Sequence, residues 1–133
     1  MTFRLSRMKP LLVLASLAVL AAALSGCSSV PDQLTPAETL EAKNDGALIV
    51  DIRESEGFEQ FHIPGSVNIP LDELTSRLDE IPQDQHVILV CALGRTSYAA
   101  RDILLERGYT SISSMLGGMT AWYDSGYPGI FSQ

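Results

Sequence analysis

Four side-chain types that support covalent and anion chemistry fall within seven residues: Cys91, Arg95, Thr96 and Ser97, in Cys91-Ala92-Leu93-Gly94-Arg95-Thr96-Ser97. A cysteine is a nucleophile only as its thiolate, so the question is what would ionise it. The residues before it, Val87-Ile88-Leu89-Val90, are apolar and mostly β-branched, which predicts a short strand buried on both faces. From Ser97 the spacing changes. Ala99, Ala100, Ile103 and Leu104 share one helical stripe, and Gly108 can supply a left-handed C-cap. A strand that bends into a helix aims free backbone N–H groups at whatever the bend encloses. The helix dipole and Arg95 both favour a thiolate there. The residues thus describe a nucleophilic cysteine in an anion cradle. The competing reading is an inert core thiol, since free cysteine is usually buried.

The elements that must position this loop can be read outward from it. Thr35-Pro36-Ala37-Glu38 predicts a capped helix start, with the helix running to about Lys43 and stopping at Asn44-Asp45-Gly46. Ala47-Leu48-Ile49-Val50 is a second buried strand ending at Asp51. Glu54 to Phe61 reads as a short helix, His62-Ile63-Pro64-Gly65-Ser66 as a loop, and Val67-Asn68-Ile69 as a short strand halted by Pro70. Leu71, Leu74 and Leu78 place a helix over Leu71 to Glu80, and Pro82 ends it. Tyr109 to Met115 is a weaker, partly polar strand, followed by Leu116-Gly117-Gly118 and a short helix over Met119 to Tyr123 carrying Trp122. Strands alternate with helices, which predicts a single α/β domain with a mainly parallel sheet flanked by helices.

The chain of 133 residues suffices for one domain, and its first part stands outside that domain. Met1 to Lys9 carries Arg4, Arg7 and Lys9 without an acid, and Leu11 to Leu24 is an apolar run. That composition predicts a secretory signal peptide, too short for a comfortable span; the alternative is an uncleaved signal anchor. The run ends in Leu24-Ser25-Gly26-Cys27, which resembles the lipobox of bacterial lipoproteins. The resemblance implies a signal peptide over 1–26, lipidation of Cys27, and a tether over 27–34. With Ser28 after the lipidated cysteine it also implies an envelope protein on the outer membrane, facing the periplasm. Its acyl chains suffice for stable anchoring.

Removing Arg4, Arg7 and Lys9 from the nine basic residues leaves six against 16 acidic ones, a net charge of −10. Such a surface argues against a nucleic-acid partner and repels small anions at long range. An anion site must therefore work through local dipoles. With Cys27 acylated, Cys91 is the one thiol left, facing an oxidising compartment without an internal partner.

Three segments over residues 35–133 resemble the rhodanese-like sulfurtransferase family. Asp51-Ile52-Arg53-Glu54 leading to His62-Ile63-Pro64-Gly65-Ser66-Val67-Asn68-Ile69-Pro70 is similar to D-x-R-E … H-I-P-G-A-x-N-I-P. The Cys91 loop stands in the place of C-x-x-G-x-R-S, and Leu116-Gly117-Gly118 with Trp122 is similar to L-x-G-G-x-x-x-W, with one residue fewer before the glycines. The resemblance implies that Cys91 attacks a sulfane donor such as thiosulfate, a persulfide or a polysulfide. The resulting persulfide then passes its sulfur to a thiol or cyanide. It also implies that the N–H groups of Ala92, Leu93, Gly94, Arg95, Thr96 and Ser97 hold the persulfide, with no metal or organic cofactor. Gly94 lets the backbone curl so that those amides converge.

One departure bears on substrate choice: the family's loop arginine falls at Thr96, and Arg95 stands one residue earlier. Arg95 then either contacts an anion at the mouth or pairs with Asp51 or a glutamate. Asp51 and Arg53, supporting residues at a strand end, are expected to pair with each other or brace loops. His62 is a structural turn residue more readily than a general base, and Cys91, His62 and His86 lack zinc-ligand spacing. Trp122 and Phe58 are expected in the core, and Phe61, in place of a small residue, is expected to serve packing. A non-catalytic binding or sulfur-carrier module remains as the alternative function. Phosphatase chemistry is disfavoured because Ser97 occupies the position where the phosphatases of this fold close their loop with arginine, and disulfide exchange because no second thiol is present.

Overall fold

A computed structural model describes residues 29–131. The signal peptide and Cys27 expected from the sequence lie outside these residues. In chain order the elements are β1 (Gln33–Leu34), α1 (Pro36–Asn44), β2 (Leu48–Asp51), α2 (Ser55–Gln60), β3 (Phe61–His62) and β4 (Val67–Asn68). Two single 3₁₀ turns follow, Leu74–Ser76 and Leu78–Glu80. Then come β5 (Val87–Val90), α3 (Arg95–Glu106), β6 (Ile112–Met115), α4 (Gly118–Asp124) and β7 (Ile130–Phe131).

The main sheet is parallel throughout, in the order β1-β6-β5-β2-β4, so β5 is central and the Cys91 loop leaves from the middle of the sheet. All four residues of β5 are buried, and their alternation feeds two cores. Val87 and Leu89 pack with Ala100, Leu104 and Ile112 on the α3 side. Ile88 and Val90 pack with Met115, Met119 and Trp122 on the α4 side. The same alternation carries Cys91 onto the α3 side, beneath the start of that helix. Sequence period thus decides which way the thiol faces.

Local chemistry sets the element ends. Thr35 caps α1: its Oγ1 accepts the Glu38 N–H at 3.2 Å, while the Glu38 carboxylate accepts the Thr35 N–H at 2.8 Å. Polar residues inside β6 are explained by pairing. Ser113 Oγ donates to the Pro31 carbonyl and lies 2.9 Å from His86 Nε2, and Ser114 Oγ donates to the Asp32 carbonyl. Asp32 also forms an ion pair with Arg101 of α3.

Several expectations are corrected. The last two residues assigned to the tether form β1, registered on Ser114 and Met115. The helix expected over Leu71 to Glu80 is two 3₁₀ turns separated at Arg77, whose φ of −119° leaves the helical region. Only Leu74 of the leucine stripe is buried in those turns, and Leu71 is 37% exposed. The main helix begins at Arg95, two residues earlier than the stripe indicated. Phe58 is half-buried and stacks on His62 with ring centroids 3.9 Å apart, whereas Trp122 is fully buried. A second, antiparallel pairing of β3 with β7 carries no sequence signal, and there Phe61 packs against Phe131 and Tyr123.

Candidate active site

Cys91 is the first residue after β5 and is 5% exposed. Its Sγ accepts N–H hydrogen bonds from Gly94 at 3.1 Å and Ser97 at 3.3 Å. Ser97 Oγ lies 3.3 Å from the sulfur and donates to the Gly94 carbonyl at 3.2 Å. Burial pushes the thiol pKa up; the Ser97 hydroxyl and the N–H groups of Ser97, Gly94 and Leu93 pull it down and prevail, so the net shift is downward. An anion on this sulfur meets donors already in place, which is electrostatic preorganisation.

Gly94 makes the curl. It stands at φ 87°, a left-handed conformation that an L side chain adopts only under strain. Space forbids a side chain as well, since a Cβ there would stand 2.7 Å from the Gly117 nitrogen. Gly117 and Gly118 wedge the start of α4 under the loop, and a Cβ on Gly118 would stand 2.4 Å from the Cys91 carbonyl oxygen. From there Met119 N–H donates to the Cys91 carbonyl at 2.8 Å and Thr120 N–H to the Ala92 carbonyl at 3.1 Å. Among the residues bearing on the site, Met119 and Thr120 are the ones side-chain chemistry does not reveal. The Gly-Gly pair before them is their only sequence signal.

The expected site residues divide by position. Cys91, Gly94 and Ser97 are buried together, while Ala92, Leu93, Arg95 and Thr96 form the exposed outer rim, Leu93 being 61% exposed. Arg95 is the first residue of α3 and makes no ion pair among the described residues; the alternative of a pair with Asp51 is thereby corrected. Asp51 belongs to Arg53. The Arg53 Nη2–Asp51 Oδ2 separation is 2.7 Å, Nε donates to the same carboxylate, and Nη2 also donates to the Phe61 carbonyl at 2.7 Å. Asn68 Nδ2 donates to the Asp51 and Arg53 carbonyls, each at 2.9 Å, tying β4 to the end of β2. Both residues brace the strand ends beside the loop. His62 Nδ1 contacts the Phe58 carbonyl at 2.7 Å and stacks on its ring, a packing position. An open cavity of about 240 Å³ lies along the α4 side of the loop, lined by Arg53, Phe61, Ala92, Met119, Thr120 and Tyr123.

The model of the family described as "Rhodanese-like domain" matches residues 35–125. The chain is 34% identical over 87 residues to a sulfurtransferase of Allochromatium vinosum, covering 65% of this chain and 81% of that protein. It is 37% identical over 87 residues to the thiosulfate sulfurtransferase GlpE of Pseudoalteromonas translucida, covering 65% of this chain and 83% of that one. It spans about half, 52%, of YrkF of Bacillus subtilis, at 33% identity over 96 residues. Among solved structures, a rhodanese-related protein of Thermoplasma volcanium superposes with a TM-score of 0.69 at 28% identity, over 75% of this chain and 98% of that one. The matched span contains the three segments singled out from the sequence and the whole of the Cys91 loop with its α4 support; the chain belongs to the rhodanese-like domain family.

Proposed function

We propose that the protein is a sulfurtransferase that carries a sulfane sulfur on Cys91. The observation that supports this most directly is the pair of backbone N–H groups, from Gly94 and Ser97, already pointed at Sγ. The Cys91 thiolate attacks the outer sulfur of a donor such as thiosulfate, a persulfide or a polysulfide. The new S–S bond forms as the donor's own bond to that sulfur breaks, and sulfite or a thiolate leaves with the electron pair. A thiol or cyanide acceptor then takes the outer sulfur, and the electron pair returns to Sγ. The loop amides neutralise the persulfide anion without a metal or organic cofactor. In this reading Cys27 is lipidated after removal of residues 1–26, and the domain works from the periplasmic face of a bacterial outer membrane.

The test is a mass measurement on the purified domain after exposure to sulfane donors. A gain of one sulfur atom on Cys91, reversed by cyanide or excess thiol, is expected; no adduct with thiosulfate, glutathione persulfide or polysulfide overturns the reading. A second reading is favoured by Arg95, which stands exposed on the rim one residue before the place of the family's loop arginine. Here the protein is a tethered sulfur carrier or binding module that loads sulfur once and does not turn over. Steady-state rates of the wild type and Cys91→Ser separate the two.

A further inference from the structure

The peptide that follows Cys91 is held from behind. A trans peptide is planar, so its C=O and N–H point in opposite directions, and fixing one fixes the other. Thr120 N–H holds the Ala92 carbonyl at 3.1 Å, and the other end of that peptide is the Leu93 N–H. Met119 N–H holds the Cys91 carbonyl at 2.8 Å, and the other end of that peptide is the Ala92 N–H. Both carbonyls therefore face α4, and both amides are turned away from it. Leu93 N–H is one of the groups that pull the Cys91 thiol toward its anion. The approach is close because Gly117 and Gly118 have no side chains; a Cβ on Gly118 would overlap the Cys91 carbonyl oxygen and the Ala92 carbonyl group.

We infer that Thr120, with Met119 holding the peptide before it, is a positioning residue for the Cys91 nucleophile, acting through its backbone N–H, which orients the Ala92–Leu93 peptide so that the Leu93 amide faces the sulfur. The inference deepens the proposed function and rests on Cys91 being the nucleophile. Neither side chain does this work. Thr120 is exposed, and its N–H belongs to the first turn of α4, where no carbonyl of the helix itself would accept it. The bond to Ala92 is thus available to orient the loop without cost to the helix.

The experiment removes one N–H and reads the ionisation of the thiol. Thr120→Pro deletes the donor at a helix position that tolerates proline. A backbone ester at position 120, with the α-hydroxy analogue of threonine, deletes it while keeping the side chain. Thr120→Ala keeps the donor and is the conservative control. Each protein is melted to establish folding, then alkylated with iodoacetamide across pH. Expected are an upward move of the alkylation midpoint and a rate at pH 7 lower by roughly threefold to tenfold in the proline and ester variants, with wild-type behaviour for the alanine variant. A folded ester variant with the wild-type midpoint and rate overturns the assignment, as does an alanine variant that behaves like the ester. Alkylation does not need a sulfur donor. Failure of the wild type to load sulfur, with the midpoints still separated, would therefore sink the sulfurtransferase reading and leave the positioning role intact.

Discussion

Gly94 of the nucleophile loop and Gly117 at the foot of α4 pack backbone against backbone, so closely that a Cβ on Gly94 would stand 2.7 Å from the Gly117 nitrogen and 3.0 Å from the Met115 carbonyl oxygen. Two segments more than twenty residues apart thus meet where Gly94 has no room for a side chain. The consequence is a loop whose shape is set by its contacts as much as by its own turn.

Gly94→Ala is therefore expected to be costly twice over. It forces an alanine to φ 87° and drives a methyl group into α4, and strain at such positions costs on the order of 1–3 kcal/mol before any clash. Denaturant unfolding measures the loss, and Cys91 should alkylate more slowly at neutral pH in whatever fraction stays folded. Wild-type stability for this variant would show that the loop moves freely.

The thiol should titrate below the ordinary cysteine value, because the hydrogen bonds to Sγ outweigh its burial. The sign for stability follows. The folded state releases the thiol proton more readily than the unfolded chain, so this contribution is complete above the unfolded pKa and fades as pH falls through the lower folded value. Alkylation rate against pH gives the midpoint. Ser97→Ala should raise it by removing the hydroxyl hydrogen bond to Sγ, while the Gly94 and Ser97 amide bonds remain. A midpoint at or above the free-thiol value in the wild type would contradict the cradle.

Arg95 is exposed and free of ion pairs among the described residues, so Arg95→Gln should leave the melting temperature within about 2 °C of the wild type. If the guanidinium steers anionic donors to the mouth, the rate with thiosulfate falls about twofold to fivefold at low salt, and the difference closes at high salt. A loss independent of ionic strength would mean that Arg95 shapes the loop instead.

Thr39 is fully buried in α1, and its hydroxyl oxygen has no hydrogen-bond partner among the described residues. Thr39→Val keeps the shape and removes the unsatisfied group, which should stabilise the fold by up to about 1 kcal/mol. Thermal unfolding should show a rise of a few degrees, and a fall would reveal a partner for the hydroxyl.

The sequence was most legible where one constraint acts alone. Val87 to Val90 and Ile49 to Val50 must be buried on both faces, and β-branched runs say so. The Thr35–Glu38 cap is a local circuit and forms as its residues indicate. Legibility failed where a spacing suited two structures. Leu71, Leu74 and Leu78 fit an α-helix, yet Arg77 pairs with Glu73 and Glu80 across a break, and two 3₁₀ turns result. It failed again for two-residue strands such as Gln33–Leu34 and Ile130–Phe131, which exist because a distant partner offers free backbone groups. At the site, Cys91, Gly94 and Ser97 were readable because their chemistry is in their side chains or their absence. The amides of Met119 and Thr120 were not, because every residue but proline has one.

Main-chain donors make this centre unusually indifferent to mutation. Leu93, Arg95 and Thr96 are exposed, so their side chains can be exchanged while the amides that receive the charge stay where they are. The cradle rests on the sulfur, the Ser97 hydroxyl and the bare positions at 94, 117 and 118, so a methyl group at any of those three should undo it before any exchange on the rim does.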